Sequence, residues 1–295
     1  MKPPVFEYVA VRSVAEAVAE LGQHGDAAKL LAGGQSLIPL LNMRLVAPGR
    51  LIDLNRVDEL AYVETRDGGV AIGAMSRQRV VERSARVAAE IPLLADALPS
   101  VGHFQIRNRG TIGGSLSHAD PAAELPAVAV CLDARFTVRG PAGERVLAAG
   151  DFFRGSLTTA LEPTELLTEV WFPATARGAG AAWMELARRH GDYALAGVAA
   201  VLTLSGERIG AARLALTGVG DGPVRAREAE ALLAGEALTP SLVAEAAAAV
   251  RRAIDPGGDI HATAEYRRHV AGVLTGRAIM RAAARAEEAA GRSRP

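Results

Sequence analysis

The sequence predicts an α+β fold, and three observations carry that expectation. A capped helix followed by short apolar runs with glycine exits opens the chain. Residues 126–172 alternate short apolar runs with turns, and residues 241–254 and 262–290 are alanine-rich and helical in character. The 295 residues suggest two domains, and 49% hydrophobic against 22% charged residues is ample for packed cores. Lys+Arg and Asp+Glu both count 33, so the chain lacks the positive excess a nucleic-acid binder uses against phosphates. The longest stretches free of Asp, Glu, Lys and Arg, Leu30–Met43 and Tyr193–Gly206, contain glycine and fall short of the roughly 20 residues a membrane span needs. Glu7 precedes any apolar run that could serve a signal peptide, so a cytoplasmic protein without a transmembrane segment is expected. The single cysteine, Cys131, excludes an internal disulfide and an iron–sulfur cluster held by four thiolates of this chain.

Taken in order, Ser13-Val14-Ala15-Glu16 reads as a capping box, and Val14, Ala17, Val18 and Leu21 follow at helical spacing until Gly22 and Gly25. Residues 27–32 and 51–54 are short strands, which makes residues 1–60 a small α/β unit. Residues 70–74 form a strand after the turn Asp67-Gly68-Gly69. Residues 76–98 are predicted helical, with Ser76 as cap and Pro92 as a break. The stretch 126–172, with turns at Arg139-Gly140-Pro141 and Ala142-Gly143-Glu144, is predicted hairpin-rich and mainly antiparallel. Residues 173–180 are poor in large apolar side chains and mark the expected domain boundary. Strands are predicted over 194–204 and 213–219 around Ser205-Gly206-Glu207, and helices over 241–254 and 262–290. Thr239-Pro240 supplies the N-cap and first residue of the former, and the chain from Ala282 is expected to fray into a disordered tail.

Two segments carry the functional reading: Leu31-Ala32-Gly33-Gly34-Gln35-Ser36-Leu37 and Gly110-Thr111-Ile112-Gly113-Gly114-Ser115-Leu116. Adjacent glycines let a backbone take positive φ and approach a ligand without Cβ interference. Successive N–H groups can then converge on an anion, with hydroxyls of Ser36, Thr111 or Ser115 as further donors. One such loop is an ordinary turn, whereas a pair suits a diphosphate. Neither has the phosphate-binding pattern Gly-x-x-x-x-Gly-Lys-Ser/Thr, nor Gly-x-Gly-x-x-Gly opening a helix, so a dinucleotide site of another design is expected. Lys29, the only lysine besides Lys2, stands just before the first loop, where it could offset ligand charge or simply be solvated. Cys131 lies in an apolar run and reads as a buried, inert thiol. His103, His118 and Asp120 lack the spacing and thiolates of a metal site.

These two segments resemble the flavin-pyrophosphate loops of the medium subunit of molybdenum hydroxylases, a family covering carbon monoxide dehydrogenase, xanthine dehydrogenase and related enzymes. The resemblance extends through Ile106-Arg107-Asn108-Arg109-Gly110, His118-Ala119-Asp120-Pro121-Ala122-Ala123-Glu124 and Arg188-Arg189-His190-Gly191-Asp192-Tyr193-Ala194. It continues at Gly218-Val219-Gly220 with Pro223-Val224-Arg225 and ends with Glu265-Tyr266-Arg267-Arg268.

The resemblance implies a two-part FAD-binding domain of vanillyl-alcohol-oxidase type over residues 1–175, with subdomains of about 1–60 and 61–175. A small α+β C-terminal domain with a helical end would follow over 176–290, then a tail of 291–295. It implies that Lys29, Leu31, Ala32, Gly33, Gly34, Gln35, Ser36, Leu37, Thr111, Ile112, Gly113, Gly114 and Ser115 surround the FAD pyrophosphate. Glu124 matches an acidic position contacting the flavin nucleotide where other members carry Asp, and Val101 and Leu161 match apolar flavin contacts. Tyr193 would lie against the isoalloxazine ring, the alternative being a core tyrosine. Molybdopterin and two iron–sulfur clusters would sit on partners, a large and a small subunit, in a dimer of heterotrimers. Electrons would pass from the clusters through FAD to an external acceptor. The rival reading, a stand-alone FAD-dependent oxidoreductase, would need an acid or base near Tyr193, and none is evident in the sequence.

Overall fold

The computed structural model describes residues 2–291, which form three main sheets with helices around and between them. In the first sheet, β1 (Glu7–Ala10) and β2 (Ala28–Leu31) both run parallel to β3 (Arg50–Asp53), which lies between them. Parallel strands need a crossover, and α1 (Val14–His24) supplies it between β1 and β2. Ser13 Oγ accepts from the Glu16 N–H at 3.1 Å, while the Glu16 carboxylate accepts from the Arg12 N–H, one residue before the capping-box position. Gly25, at φ +48°, ends the helix, and Gly22 lies inside it. The short helix α2 (Leu37–Asn42) follows the first glycine pair.

The second sheet is antiparallel in the order β4 (Val63–Arg66), β5 (Gly69–Gly73), β10 (Leu166–Pro173), β6 (Arg135–Gly140) and β7 (Gly143–Ala148). Between β7 and β10 lie α9 (Ala149–Phe152) and the hairpin of β8 (Phe153–Gly155) and β9 (Thr158–Thr159). Six helices join β5 to β6: α3 (Gln78–Glu82), α4 (Ala85–Glu90), α5 (Pro92–Ala97), α6 (Phe104–Arg109), α7 (Ile112–His118) and α8 (Glu124–Cys131). Pro92 opens α5 where a break was predicted. Ser76, expected as a cap, is instead buried and donates its hydroxyl to the Tyr62 carbonyl at 2.8 Å; Arg77 holds the N-cap position of α3. The antiparallel reading of 126–172 fails at its start, because Glu124–Cys131 is a helix with every residue buried. An element enclosed on all sides carries no periodicity by which to separate helix from strand.

The third sheet is antiparallel in the order β11 (Ala179–Ala187), β12 (Ala194–Ser205), β13 (Arg208–Thr217) and β14 (Val224–Arg225). After it come α10 (Arg227–Leu233), α11 (Pro240–Ala253) and α12 (Ala264–Gly291). Thr239 caps α11 by accepting from the Leu242 N–H at 3.2 Å, as its sequence predicts. Side chains alternate across a strand, and this sheet uses both faces. Ala196, Val198, Ala200 and Leu202 join the core under α12, while Ala199, Ala215, Ala181 and Trp183 join the core that contains α5 and α8. The expected fraying from Ala282 is not found: Ala282, Ala283 and Ala286 are buried against β11. Gly180 permits that approach, since a Cβ there would strike the Ala282 carbonyl. Of the predicted tail, residues 292–295 lie outside the described residues.

Candidate functional site

The two glycine segments meet in space. A Cβ on Gly33 would overlap the Arg109 carbonyl oxygen and lie 2.8 Å from Gly110 Cα, and one on Gly114 would lie 3.3 Å from Ala32 Cβ. Glycine at 33 is therefore required by the neighbouring segment, and its freedom from side-chain bulk serves packing before it serves a ligand. Gly34 takes φ +75°, turning the chain from β2 into α2. Among the described residues, the backbone N–H groups of Gly33, Gly34, Gln35 and Ser36 donate to no protein acceptor. Buried backbone N–H groups are almost always paired, and Gly33 is buried, so this row of free donors on one turn has the form of an anion-binding nest. Ser36 adds a hydroxyl that makes no capping bond, whereas the Gln35 amide folds back on the Gly33 carbonyl at 3.0 Å.

The second segment is built differently from its prediction as a loop of converging donors. Thr111 is the N-cap of α7 and its Oγ1 accepts from the Gly114 N–H at 3.0 Å. The Ile112 and Gly113 N–H groups donate to the Ser76 and Ala74 carbonyls at 3.0 and 2.8 Å, and the Gln78 N–H to the Gly110 carbonyl at 2.8 Å. These bonds lock the segment onto the exit of β5, where Gly113 has no room for a Cβ beside Ala74. Thr111 and Ile112 are buried, so the surface left for a ligand is Gly114 and the half-buried Ser115, whose hydroxyl makes no hydrogen bond among the described residues.

The remaining predicted residues divide into two groups. Lys29 is exposed on the edge strand β2, and Leu31, Ala32 and Leu37 are half-buried around the first turn. Val101 is buried in the large core and Leu161 packs against it, so these apolar side chains serve the interior first. Tyr193 is 68% exposed and is not a core tyrosine. It follows Gly191, at φ +83°, where a Cβ would come within 2.9 Å of the Gly102 backbone and 2.6 Å of His103 Nδ1. The turn carrying Tyr193 thus rests on the loop that enters α6, and α6 leads directly to Arg109-Gly110. Gly218 and Thr217, at the end of β13, hold the turn before α8: the Gly218 N–H donates to the Pro121 carbonyl at 2.8 Å, and Thr217 Oγ1 lies 2.7 Å from the Ala123 carbonyl.

That turn presents Glu124, a buried carboxyl pushed up to about 8, first by desolvation and then by the charge of Glu185. Burial likewise pushes Glu185 up to about 7, although the Trp183 indole donates to it at 3.1 Å. The Tyr193 phenol is raised by desolvation around it and by the carboxylates of Asp120 and Glu124. Acidic groups therefore do stand near Tyr193, contrary to the sequence reading. Asp120, however, is engaged by the Ala122 N–H at 2.8 Å, and Glu124 is enclosed. Cys131 is the inert thiol expected, its pKa pushed up to about 12 by complete burial.

Sequence reasoning missed Asn55 and Arg77. The Asn55 amide donates to the Ala32 carbonyl at 3.0 Å and thereby holds the first turn from the end of β3. Asp53-Leu54-Asn55 after a predicted strand was the available signal, and it is common to many turns.

No helix among the described residues is long and apolar enough to cross a membrane. Residues 4–175 match the family described as FAD binding domain in molybdopterin dehydrogenase, and residues 181–282 match the CO dehydrogenase flavoprotein C-terminal domain. The 6-hydroxypseudooxynicotine dehydrogenase complex subunit alpha of Paenarthrobacter nicotinovorans is 42% identical over 97% of this chain and 97% of its own length. The carbon monoxide dehydrogenase medium chain of Hydrogenophaga pseudoflava is 42% identical over 97% of this chain and 99% of its own. A solved structure of carbon monoxide dehydrogenase from the same organism, lacking the Mo-pyranopterin moiety of the molybdenum cofactor, matches with a TM-score of 0.95 at 44% identity. That match covers 97% of this chain and 99% of the other. The unpaired donors of residues 33–36 beside a side-chain-free Gly114 fit a diphosphate-bearing cofactor. Fold, donor array and relatives converge: the chain belongs to the FAD-binding medium subunits of the carbon monoxide dehydrogenase-type molybdenum hydroxylases, oxidoreductase components whose cofactor is FAD.

Proposed function

We propose that the chain grips the diphosphate of one FAD between the turn Gly33–Ser36 and the Gly114-Ser115 face, as the electron-output subunit of a three-component dehydrogenase. The observation that carries this reading is the row of four unpaired N–H groups set directly against the second glycine segment. Bound FAD supplies a two-electron store through which electrons from iron–sulfur clusters of a small subunit leave to an external acceptor. Ser36 and Ser115 donate hydroxyls to the phosphates, and Lys29 contributes positive charge on the approach. Tyr193, exposed and carried on a turn braced by His103, covers the flavin face. Glu124, buried with its carboxyl pushed up to about 8, lines the flavin-nucleotide side of the site as the acidic position of the family does.

The molybdopterin subunit of the complex, in a dimer of heterotrimers, selects and oxidises the substrate. In support, the relatives are named as subunits of complexes, and two of them at 42% identity carry different substrates in their names, carbon monoxide and 6-hydroxypseudooxynicotine. Substrate identity is then a property of another chain.

Titration of the full-length apoprotein with FAD tests the core of the proposal. One equivalent of flavin retained through gel filtration is expected, and no retention overturns it. Reduction of the isolated, flavin-loaded chain by an organic substrate without partner subunits would overturn the division of labour.

A further inference from the structure

Arg77 and Asn55 lie outside every motif that carries the family resemblance, yet their side chains join the two glycine segments. Arg77, the half-buried N-cap residue of α3, donates through Nη1 to the Arg109 carbonyl, the same carbonyl against which Gly33 is packed. Its Nη2 donates to Asn55 Oδ1 at 2.6 Å, and the Asn55 amide donates in turn to the Ala32 carbonyl at 3.0 Å. Asn55 is itself oriented by Asp53, whose Oδ1 accepts from the Asn55 N–H at 2.8 Å and whose Oδ2 accepts from the Tyr8 hydroxyl at 2.6 Å. A continuous hydrogen-bonded chain therefore runs from β1 through the end of β3 to the first turn and on to the second.

The electrostatics add a second, independent observation. A guanidinium stays charged inside a protein, and burying one without an acid costs free energy. Among the described residues, Arg77 forms no salt bridge within 4.0 Å. Burial and the neighbouring Arg109 charge hold its pKa below the ordinary value, opposed only by Asp53, which Tyr8 and Asn55 already engage. A half-buried cation short of negative charge, beside two segments suited to a diphosphate, is matched when that anion arrives.

We infer that Arg77, bridged by Asn55, is a positioning residue that sets the spacing of the two cradle segments and whose uncompensated charge favours the diphosphate between them. This rests on the FAD reading above. The roles of the two residues separate by chemistry: Asn55→Ala breaks the bridge and leaves the charge, while Arg77→Gln removes the charge.

The test is FAD binding to the full-length apoprotein, followed by flavin fluorescence at 0.05 and 0.5 M NaCl, with thermal melting of each apoprotein alongside. If wild type binds no FAD, the functional reading fails before the variants are compared. With wild-type binding in hand, Asn55→Ala is expected to lose about tenfold in affinity with the wild-type salt dependence, the scale of breaking the part-buried bridge from Arg77 to the Ala32 carbonyl. Arg77→Gln is expected to lose more than tenfold and to show a weaker salt dependence, since screening acts on the charge it lacks. Arg77→Lys, which keeps the charge, covers the case in which Arg77→Gln fails to fold: it should retain the salt dependence and lose affinity. Wild-type affinity within twofold in Arg77→Gln or Arg77→Lys overturns the inference. So does an affinity loss in Arg77→Gln with unaltered salt dependence.

Discussion

The glycine pairs at 33–34 and 113–114 share a sequence pattern and do different physical work. In the first, the backbone donors of Gly33–Ser36 are unpaired and Gly34 needs its left-handed φ. In the second, donors are committed to Ala74, Ser76 and the Thr111 hydroxyl, and the glycines allow a helix start to lie against strand β5 and Ala32. One segment keeps free backbone donors, which the proposed function assigns to the diphosphate, and the other is a packed wall beside it. The lesson is that a glycine pair announces close approach without saying what approaches, whether ligand or backbone.

Variants at the two segments should respond in opposite ways. The largest effect is expected from Gly33→Ala, whose Cβ must displace the Arg109 carbonyl and Gly110; overpacking against backbone costs about 2–3 kcal/mol or more. Denaturant unfolding of the apoprotein should show that loss, with flavin retention falling alongside; an unchanged midpoint would show the segments separate freely. Next, Ser36→Ala should weaken FAD binding roughly tenfold or more, the scale of a hydrogen bond to a charged group, and leave apoprotein stability unchanged because this hydroxyl has no partner among the described residues. Thr111→Ala should show the reverse, about 1 kcal/mol less stable through its lost cap and with a smaller change in affinity. If Ser36→Ala and Thr111→Ala shift affinity and stability in the same proportion, the contrast between surface and wall is wrong.

Glu124 carries a folded pKa of about 8 against an ordinary 4.5, so the folded state binds a proton that the unfolded chain has released between those values. Stability from this group is full below about pH 4.5 and declines as pH rises toward 8, at most by ~1.4 kcal/mol per pH unit. Glu124→Gln removes this proton and should flatten the fall in apoprotein melting temperature between pH 5 and 8 (roughly the window these values define). A profile as steep as wild type would assign the slope to Glu185 or elsewhere.

Much of the architecture was legible from local chemistry. Ser13 and Thr239-Pro240 announced their helices through caps, and the strands around residues 28–31, 50–53 and 69–73 announced themselves by apolar runs bounded with glycine or turns. Helix α8 was not legible, because sheet three and neighbouring helices enclose it and erase the polar stripe that marks a helix. The alanines of α12 suggested fraying for a related reason: small side chains look weakly anchored in sequence, while in space they let Gly180 and the helix backbone come together. Asn55 and Arg77 escaped because they meet each other across 22 residues and otherwise bond backbone carbonyls, which every residue possesses and no pattern of side chains records.

By itself, the sequence determined most local elements, the positions of the two glycine pairs, the absence of thiolates for a cluster and the family resemblance, since each depends on residues close together in the chain. Tertiary structure alone decided which turn keeps free donors, that Tyr193 stands exposed near the carboxyls of Asp120 and Glu124, and that Arg77 and Asn55 join the two glycine segments. Those properties depend on what surrounds a group in three dimensions, because hydrogen-bond saturation and desolvation are set by neighbours distant in sequence.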